Sequence, residues 1–109
     1  MTAEEYEITR TGTRAVITLP AEIDAMNADE VRDALLSATG GGVTTLIIDM
    51  SGTTFCDSAG VHAVITAYKQ AARTGAEVRL VATTVRRVFR LIGADHLMLT
   101  YPTLQAALA

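Results

Sequence analysis

The segment Asp57-Ser58-Ala59-Gly60 holds the residue types best suited to chemistry in this 109-residue sequence. Ser58 supplies a hydroxyl, Asp57 a carboxylate beside it, and Gly60 lacks a side chain two positions later. His62 stands one helical turn beyond Ser58, so a histidine-activated serine nucleophile is one reading. It lacks its usual setting, since no G-x-S-x-G elbow is present and His96 is the only other histidine. Two histidines without a Cys/His/Glu cluster also fail to make a metal site. A plainer reading is helix capping, because Asp and Ser are both favoured at N-caps. Asp57 can cap alone, which would leave Ser58 facing solvent. Gly60 falls in the first helical turn, where it is about 1 kcal/mol less favourable than Ala. Its presence there points to a close approach, by the fold itself or by something external.

These residues lie between a buried strand and a helix. Thr44 to Met50 is an almost continuous apolar run, the pattern of a strand covered on both faces. The helix runs from Ser58 to Arg73 and stops at Gly75. Val61, Val64, Ile65, Tyr68, Ala71 and Ala72 make its apolar face at 100° per residue. Ser58, His62, Thr66, Lys69 and Arg73 form a polar stripe beside that face, which reads as a solvated surface or as a contact surface with Ser58 at its end. In open α/β sheets, sites gather where strands deliver their carboxyl ends. The start of a helix there carries unsatisfied N–H groups and a partial positive charge that stabilises an anion.

The remaining elements complete a layered pattern. Glu5 to Arg10 and Arg14 to Leu19 read as a hairpin. Asn27 to Thr39 reads as a helix opened by an Asn27/Glu30 capping box, with Gly40 as its C′ residue. Glu77 to Ala82 is a strand. Val85, Val88, Phe89 and Ile92 give a short helix its apolar face, ended by Gly93 and flanked by Arg86, Arg87 and Arg90. Leu97 to Tyr101 is a last strand, and Pro102 opens a final helix carrying Leu104 and Leu108. The order ββαβαβαβα favours an α/β fold with parallel pairing in the middle, made mixed by the hairpin.

Composition narrows the function. Half the residues are hydrophobic and the net charge is −3, so a packed domain is expected and nucleic acid is a poor partner. Cys56 is the sole cysteine, which leaves no intramolecular disulfide and reads as a buried thiol. The acidic start Met1-Thr2-Ala3-Glu4-Glu5-Tyr6 lacks the features of a signal peptide, and no apolar run approaches the roughly 20 residues that span a bilayer. A cytoplasmic protein that engages no membrane is the expectation. Gly40-Gly41-Gly42 lacks the Lys-Ser/Thr of a phosphate-binding loop.

Several segments, in order, resemble the STAS domain of bacterial anti-sigma factor antagonists. Leu46-Ile47-Ile48-Asp49-Met50 followed by Phe55-Cys56-Asp57-Ser58-Ala59-Gly60-Val61 is similar to that family's central strand and D-S-x-G motif. Leu19-Pro20-Ala21-Glu22-Ile23-Asp24 resembles its L-x-G-E-[IL]-D segment, with Ala21 where the family usually has glycine. Val85 to Gly93, then Ala94-Asp95, resembles its V-x-R-[VLI]-[FL]-x-x-x-G-[LA] segment. Ala59 replaces a Ser or Thr common in the family, so Ser58 is the only hydroxyl in the motif.

The resemblance implies one STAS domain over residues 1–109, with a mixed β-sheet opened by an N-terminal hairpin and helices packed on one side. It implies a non-enzymatic anti-sigma factor antagonist that binds an anti-sigma factor serine kinase and thereby releases a sigma factor. Phosphorylation of Ser58 would end binding, and a serine phosphatase would restore it. The kinase supplies ATP and Mg²⁺, so the chain itself needs no cofactor. The expected partner-binding residues are Asp24, Asp57, Ser58, Ala59, Gly60, His62, Thr66 and Lys69, and a homodimer is one assembly open to the chain. The alternative role is a STAS scaffold or regulatory subunit of a signalling complex or membrane transporter.

Overall fold

A computed structural model describes residues 6–109; the expected strand start at Glu5 and the reading of the first five residues lie outside the described residues. Strands β1 (Glu7–Thr11) and β2 (Arg14–Thr18) form the expected antiparallel hairpin. Its tight connection places Gly12 at φ +61, a left-handed conformation that glycine adopts without steric cost. Two-residue strand β3 (Glu22–Ile23) precedes helix α1 (Ala28–Ala38), and β4 (Thr45–Met50) follows it. A second short strand, β5 (Phe55–Cys56), leads into helix α2 (Ser58–Arg73). The chain continues through β6 (Glu77–Ala82), α3 (Arg86–Ile92), a 3₁₀ turn at Ala94–His96, β7 (Leu99–Tyr101) and α4 (Leu104–Leu108).

The main sheet has the order β1-β2-β4-β6-β7, with all pairings after the hairpin parallel. Strand alternation divides its side chains between two faces. Leu46, Ile48 and Met50 of β4 join Ala15 and Ile17 of β2 and Val78, Leu80 and Ala82 of β6 in the larger core. Helices α1, α2 and α3 cover that core with Val31, Leu35, Val61, Val64, Ala67 and Phe89. Ile47 and Val81 point the other way and pack with Ala107, Leu104 and Leu108 of α4. The helices are therefore not all on one side. Strands buried on both faces must be covered on both, and α4 provides the second cover, held there by Arg79, whose Nη1 donates to the Ala107 carbonyl at 2.6 Å.

Several local expectations change for identifiable reasons. The Asn27/Glu30 capping box does not form. The Asn27 side chain instead accepts from the Asp24 amide at 3.0 Å and donates to the Glu22 carbonyl at 2.9 Å, bracing the turn before α1. At the other end of α1, the left-handed residues are Gly41 and Gly42, not Gly40. Arg10 donates to the carbonyls of Ser37 and Gly40, satisfying the helix end from the neighbouring hairpin. The last helix begins after Thr103, whose hydroxyl caps the Ala106 amide at 3.0 Å, and not at Pro102. On α2, Ala72 is exposed and Ala67 takes the buried position. On α3, Ile92 is half exposed, because the chain turns away at left-handed Gly93 and leaves the final turn uncovered.

Phe89 is among the largest fully buried side chains, at 1% exposure. Phe89→Ala should lower unfolding free energy by about 3–5 kcal/mol in urea titrations. Ile92→Ala, at the uncovered end of the same helix, should change it by about 0.5 kcal/mol or less.

Candidate functional site

The site rests on a second, very small sheet. Strands β3 and β5 run parallel, with Glu22 opposite Phe55 and Ile23 opposite Cys56. Sequence periodicity could not reveal strands this short, although the β-branched and aromatic residues Ile23 and Phe55 are compatible with them. The pairing extends on both sides. The Ala21 carbonyl accepts from the Thr54 and Phe55 amides at 2.8 and 3.3 Å, and the Thr53 hydroxyl donates to the Pro20 carbonyl at 2.8 Å. The Asp57 amide donates to the Ile23 carbonyl at 3.1 Å. The two segments that lead into α1 and α2 are thereby joined side by side. No described residue other than glycine has positive φ, so Ala21 serves in this turn without left-handed strain.

Gly60 explains the tight join. A Cβ at position 60 would lie 2.6 Å from Cys56 Sγ and 2.7 Å from Ile23 Cγ2. The close approach is made by the fold's own side chains. Gly60 is buried and forms the layer beneath the site.

Asp57 occupies the N-cap of α2, and its Oδ1 accepts from the Gly60 amide at 3.1 Å. The cap is therefore filled by Asp57 alone. Ser58 is exposed, and no hydrogen bond engages its hydroxyl among the described residues. Together with Ala59 and His62 it lines an open groove of about 500 Å³ between α1 and α2. The opposite wall carries Asp29 and Arg32, and alanines at 25, 28 and 63 give the groove its width. Arg32 is held by Asp29 at 3.5 Å and Asp33 at 3.3 Å.

Asp24 lies one residue beyond β3, beside the start of α2, because β3 is paired with β5. Its Oδ1 accepts from the Met26 amide at 2.8 Å. Thr66 and Lys69 are not in the Ser58 groove; with Arg73 they line a second depression further along α2. Thus Ser58, Ala59 and His62 share one groove with Asp57 next to them in the chain, Asp24 lines a separate depression with Met26, and the remaining stripe runs along α2. The sequence reading missed Met26 and Phe55, which stand near these residues at 90% and 51% exposure. Large apolar residues left in water beside a polar centre suit a protein-binding surface.

Cys56 lies beneath this surface. Burial, reinforced by the Asp57 carboxylate, pushes its thiol up to about 12. It is a packing group and not a nucleophile at neutral pH.

The STAS domain model matches residues 5–107. The chain belongs to the STAS domain family. Its solved relatives include anti-sigma factor antagonists. One from Mycobacterium paratuberculosis shares 27% identity and a TM-score of 0.81, covering 94% of this STAS chain and 89% of its own. The Bacillus cell fate determinant SpoIIAA in its phosphorylated form shares 26% identity and a TM-score of 0.70, over 94% and 96% of the two chains. A sulfate transporter family protein from Wolinella succinogenes has the same fold, with a TM-score of 0.76, 13% identity, and 89% and 83% coverage. No curated protein matches this STAS chain.

Two tests follow from the site's packing. Gly60→Ala should destabilise the STAS domain by about 1–3 kcal/mol in urea unfolding, the usual cost of overpacking, despite alanine's higher helix propensity. The buried thiol should also leave a pH signature. An unfolded cysteine ionises near pH 8.5, whereas Cys56 stays protonated in the fold to about 12. Its contribution to stability is thus complete below the unfolded pKa and is lost as pH rises toward the folded one. Thermal melts should show wild type losing stability relative to Cys56→Ala above about pH 8.5.

Proposed function

We propose that residues 1–109 act as one STAS domain, a bacterial, cytoplasmic anti-sigma factor antagonist. It binds an anti-sigma factor that is a serine kinase, releases a sigma factor, and is switched off when that kinase phosphorylates Ser58. A serine phosphatase restores the binding form. The chain acts by stoichiometric binding and turns over no substrate. The observation that carries this reading is the exposed Ser58 hydroxyl at the first residue of α2, free because Asp57 alone fills the cap. A kinase can reach that hydroxyl without unwinding the helix.

The partner surface joins Asp24, Asp57, Ser58, Ala59 and His62 at the head of α2, with Met26 and Phe55 as its apolar flank. Gly60 contributes by setting the height of Ser58 above β5. Thr66 and Lys69 extend the surface along α2. Phosphorylation adds about −1.5 to −2 charges. On the free domain the helix start favours that charge by about 0.3–1 kcal/mol, and water screens the repulsion from Asp57. In a dry interface a carboxylate about 4 Å away would repel each unit of charge by roughly 4 kcal/mol at an effective dielectric near 20.

The direct test is a pull-down with ATP or ADP present, followed by mass spectrometry of the captured proteins and of Ser58. A kinase should be captured, and phosphate should map to Ser58. Modification mainly at Ser37, Ser51 or a threonine instead, or capture of a permease, would overturn the assignment, and a permease would favour the transporter-subunit role. Ser58→Ala should bind but accept no phosphate. Ser58→Asp should weaken binding by more than about a hundredfold, equivalent to about 3 kcal/mol, while keeping its circular dichroism spectrum and melting temperature.

A further inference from the structure

Helix α3 and the edge strand β7 carry a surface that the Ser58 site does not use. Arg86, Arg87 and Arg90 stand exposed on one seven-residue helix of a chain whose net charge is −3. Among the described residues none of the three has an ion-pair partner, a state they share with Arg10, Arg14, Lys69 and Arg73, but only on α3 do three such cations stand within five residues. Folding alone disfavours this arrangement. Two of these arginines occupy the first turn, where the helix dipole favours anions, and that turn has no acidic residue. Arg86 and Arg90 are four residues apart and repel each other.

Exposed apolar side chains lie on α3 itself and on the segment that follows it, with Leu99 on the face of β7 that turns toward α4. Leu91 is 74% exposed, Ile92 50%, Leu97 42% and Leu99 53%, four of the seven large exposed hydrophobic residues among those described. Leu91 is one turn from Arg87, so charge and apolar surface share one stripe of the helix. Leu99 belongs to β7, which pairs only with β6 and leaves its other edge without a neighbour. Free edges are usually guarded by charge or covered. This edge is only three residues long, which limits it, but it carries Leu99 and no charged residue.

We propose that α3 and β7 form a second docking surface, which receives an extended acidic segment of a partner protein that also carries apolar side chains. The acidic groups would pair with Arg86, Arg87 and Arg90, the apolar ones would cover Leu91 and Leu97, and the backbone would add to the open edge of β7. Charge complementarity selects an acidic occupant. The open backbone edge selects a peptide over a lipid surface, because only a polypeptide strand can continue the ladder.

The test titrates ¹⁵N-labelled full chain with a synthetic peptide of alternating glutamate and valine, and separately with anionic phosphatidylglycerol vesicles. The peptide should bind saturably, with Kd about 1 mM or tighter, and the largest amide shifts should fall on residues 86–101. Added salt should weaken it. The double variant Arg86→Glu/Arg87→Glu should bind at least about tenfold more weakly. Its melting temperature should stay the same or rise, because acidic residues suit the first turn of α3. No saturable peptide binding, shifts centred on Ser58, or binding to the vesicles alone would each overturn the proposal. Ser58→Asp should leave peptide binding unchanged, so this result stands apart from that of the phosphorylation switch.

Discussion

The contact of Gly60 with Ile23 and Cys56 is the constraint from which the head of the molecule follows. The small β3–β5 sheet has only two residues per strand, too few to be stable by itself. It persists because α2 sits directly on it, and α2 can sit there only because position 60 has no Cβ. The pairing in turn fixes where both helices begin. The Ile23 carbonyl holds the Asp57 amide, and the Asp24 carbonyl holds the Ala28 amide at 2.9 Å. Two strands, two helix starts and the groove between them thus behave as one unit, and the Ser58 hydroxyl inherits its position from that unit.

A division of labour between neighbouring polar groups keeps the hydroxyl available. A serine at a helix start ordinarily spends its oxygen on an orphan amide. Here Asp57 takes that duty, with a carboxylate that is the stronger acceptor. The same carboxylate lies over Cys56 and, with burial, keeps the thiol protonated. One residue therefore leaves the serine free and helps keep the sulfur inert. The exposed group is thus an oxygen, while the sulfur two residues away is buried and protonated.

The order of the main elements was legible because each carries a strong period or a hard stop. Ser58 to Arg73 and Glu77 to Ala82 fall where apolar spacing and Gly75 put them. What escaped were features set by tertiary contact. Asn27 has the spacing of a capping box, yet its amide braces the Asp24 turn, a choice visible only once Glu22 and Asp24 are close in space. Strands β3 and β5 are shorter than any pattern can register. The placement of α4 was misjudged because the family resemblance implied helices on one side. The buried run Leu46 to Met50 already required cover on both faces, and Ile47 was the residue that demanded it. At the site, the D-S-A-G motif led to Ser58 directly, but Met26 carries no motif and Phe55, although it opens the matched segment, became visible as a surface residue only through its exposure.

Phe89 shows why α3 can carry an unfavourable surface. Arg86 and Arg87 stand at the wrong end of the dipole and oppose this helix by tenths of a kcal/mol to about 1 kcal/mol each, whereas Arg90 in the last turn suits the dipole and is opposed only by its repulsion from Arg86. A helix of seven residues has little intrinsic stability to set against them. The burial of one aromatic side chain is worth several times as much. Phe89 at 1% exposure and Val85 at 2% therefore anchor α3 from beneath, and left-handed Gly93 ends it before any further turn is needed. The outer stripe is then freed from any part in folding. The types of its residues are set by what they meet in solution, and arginines without partners beside bare leucines are a costly choice if they meet only water.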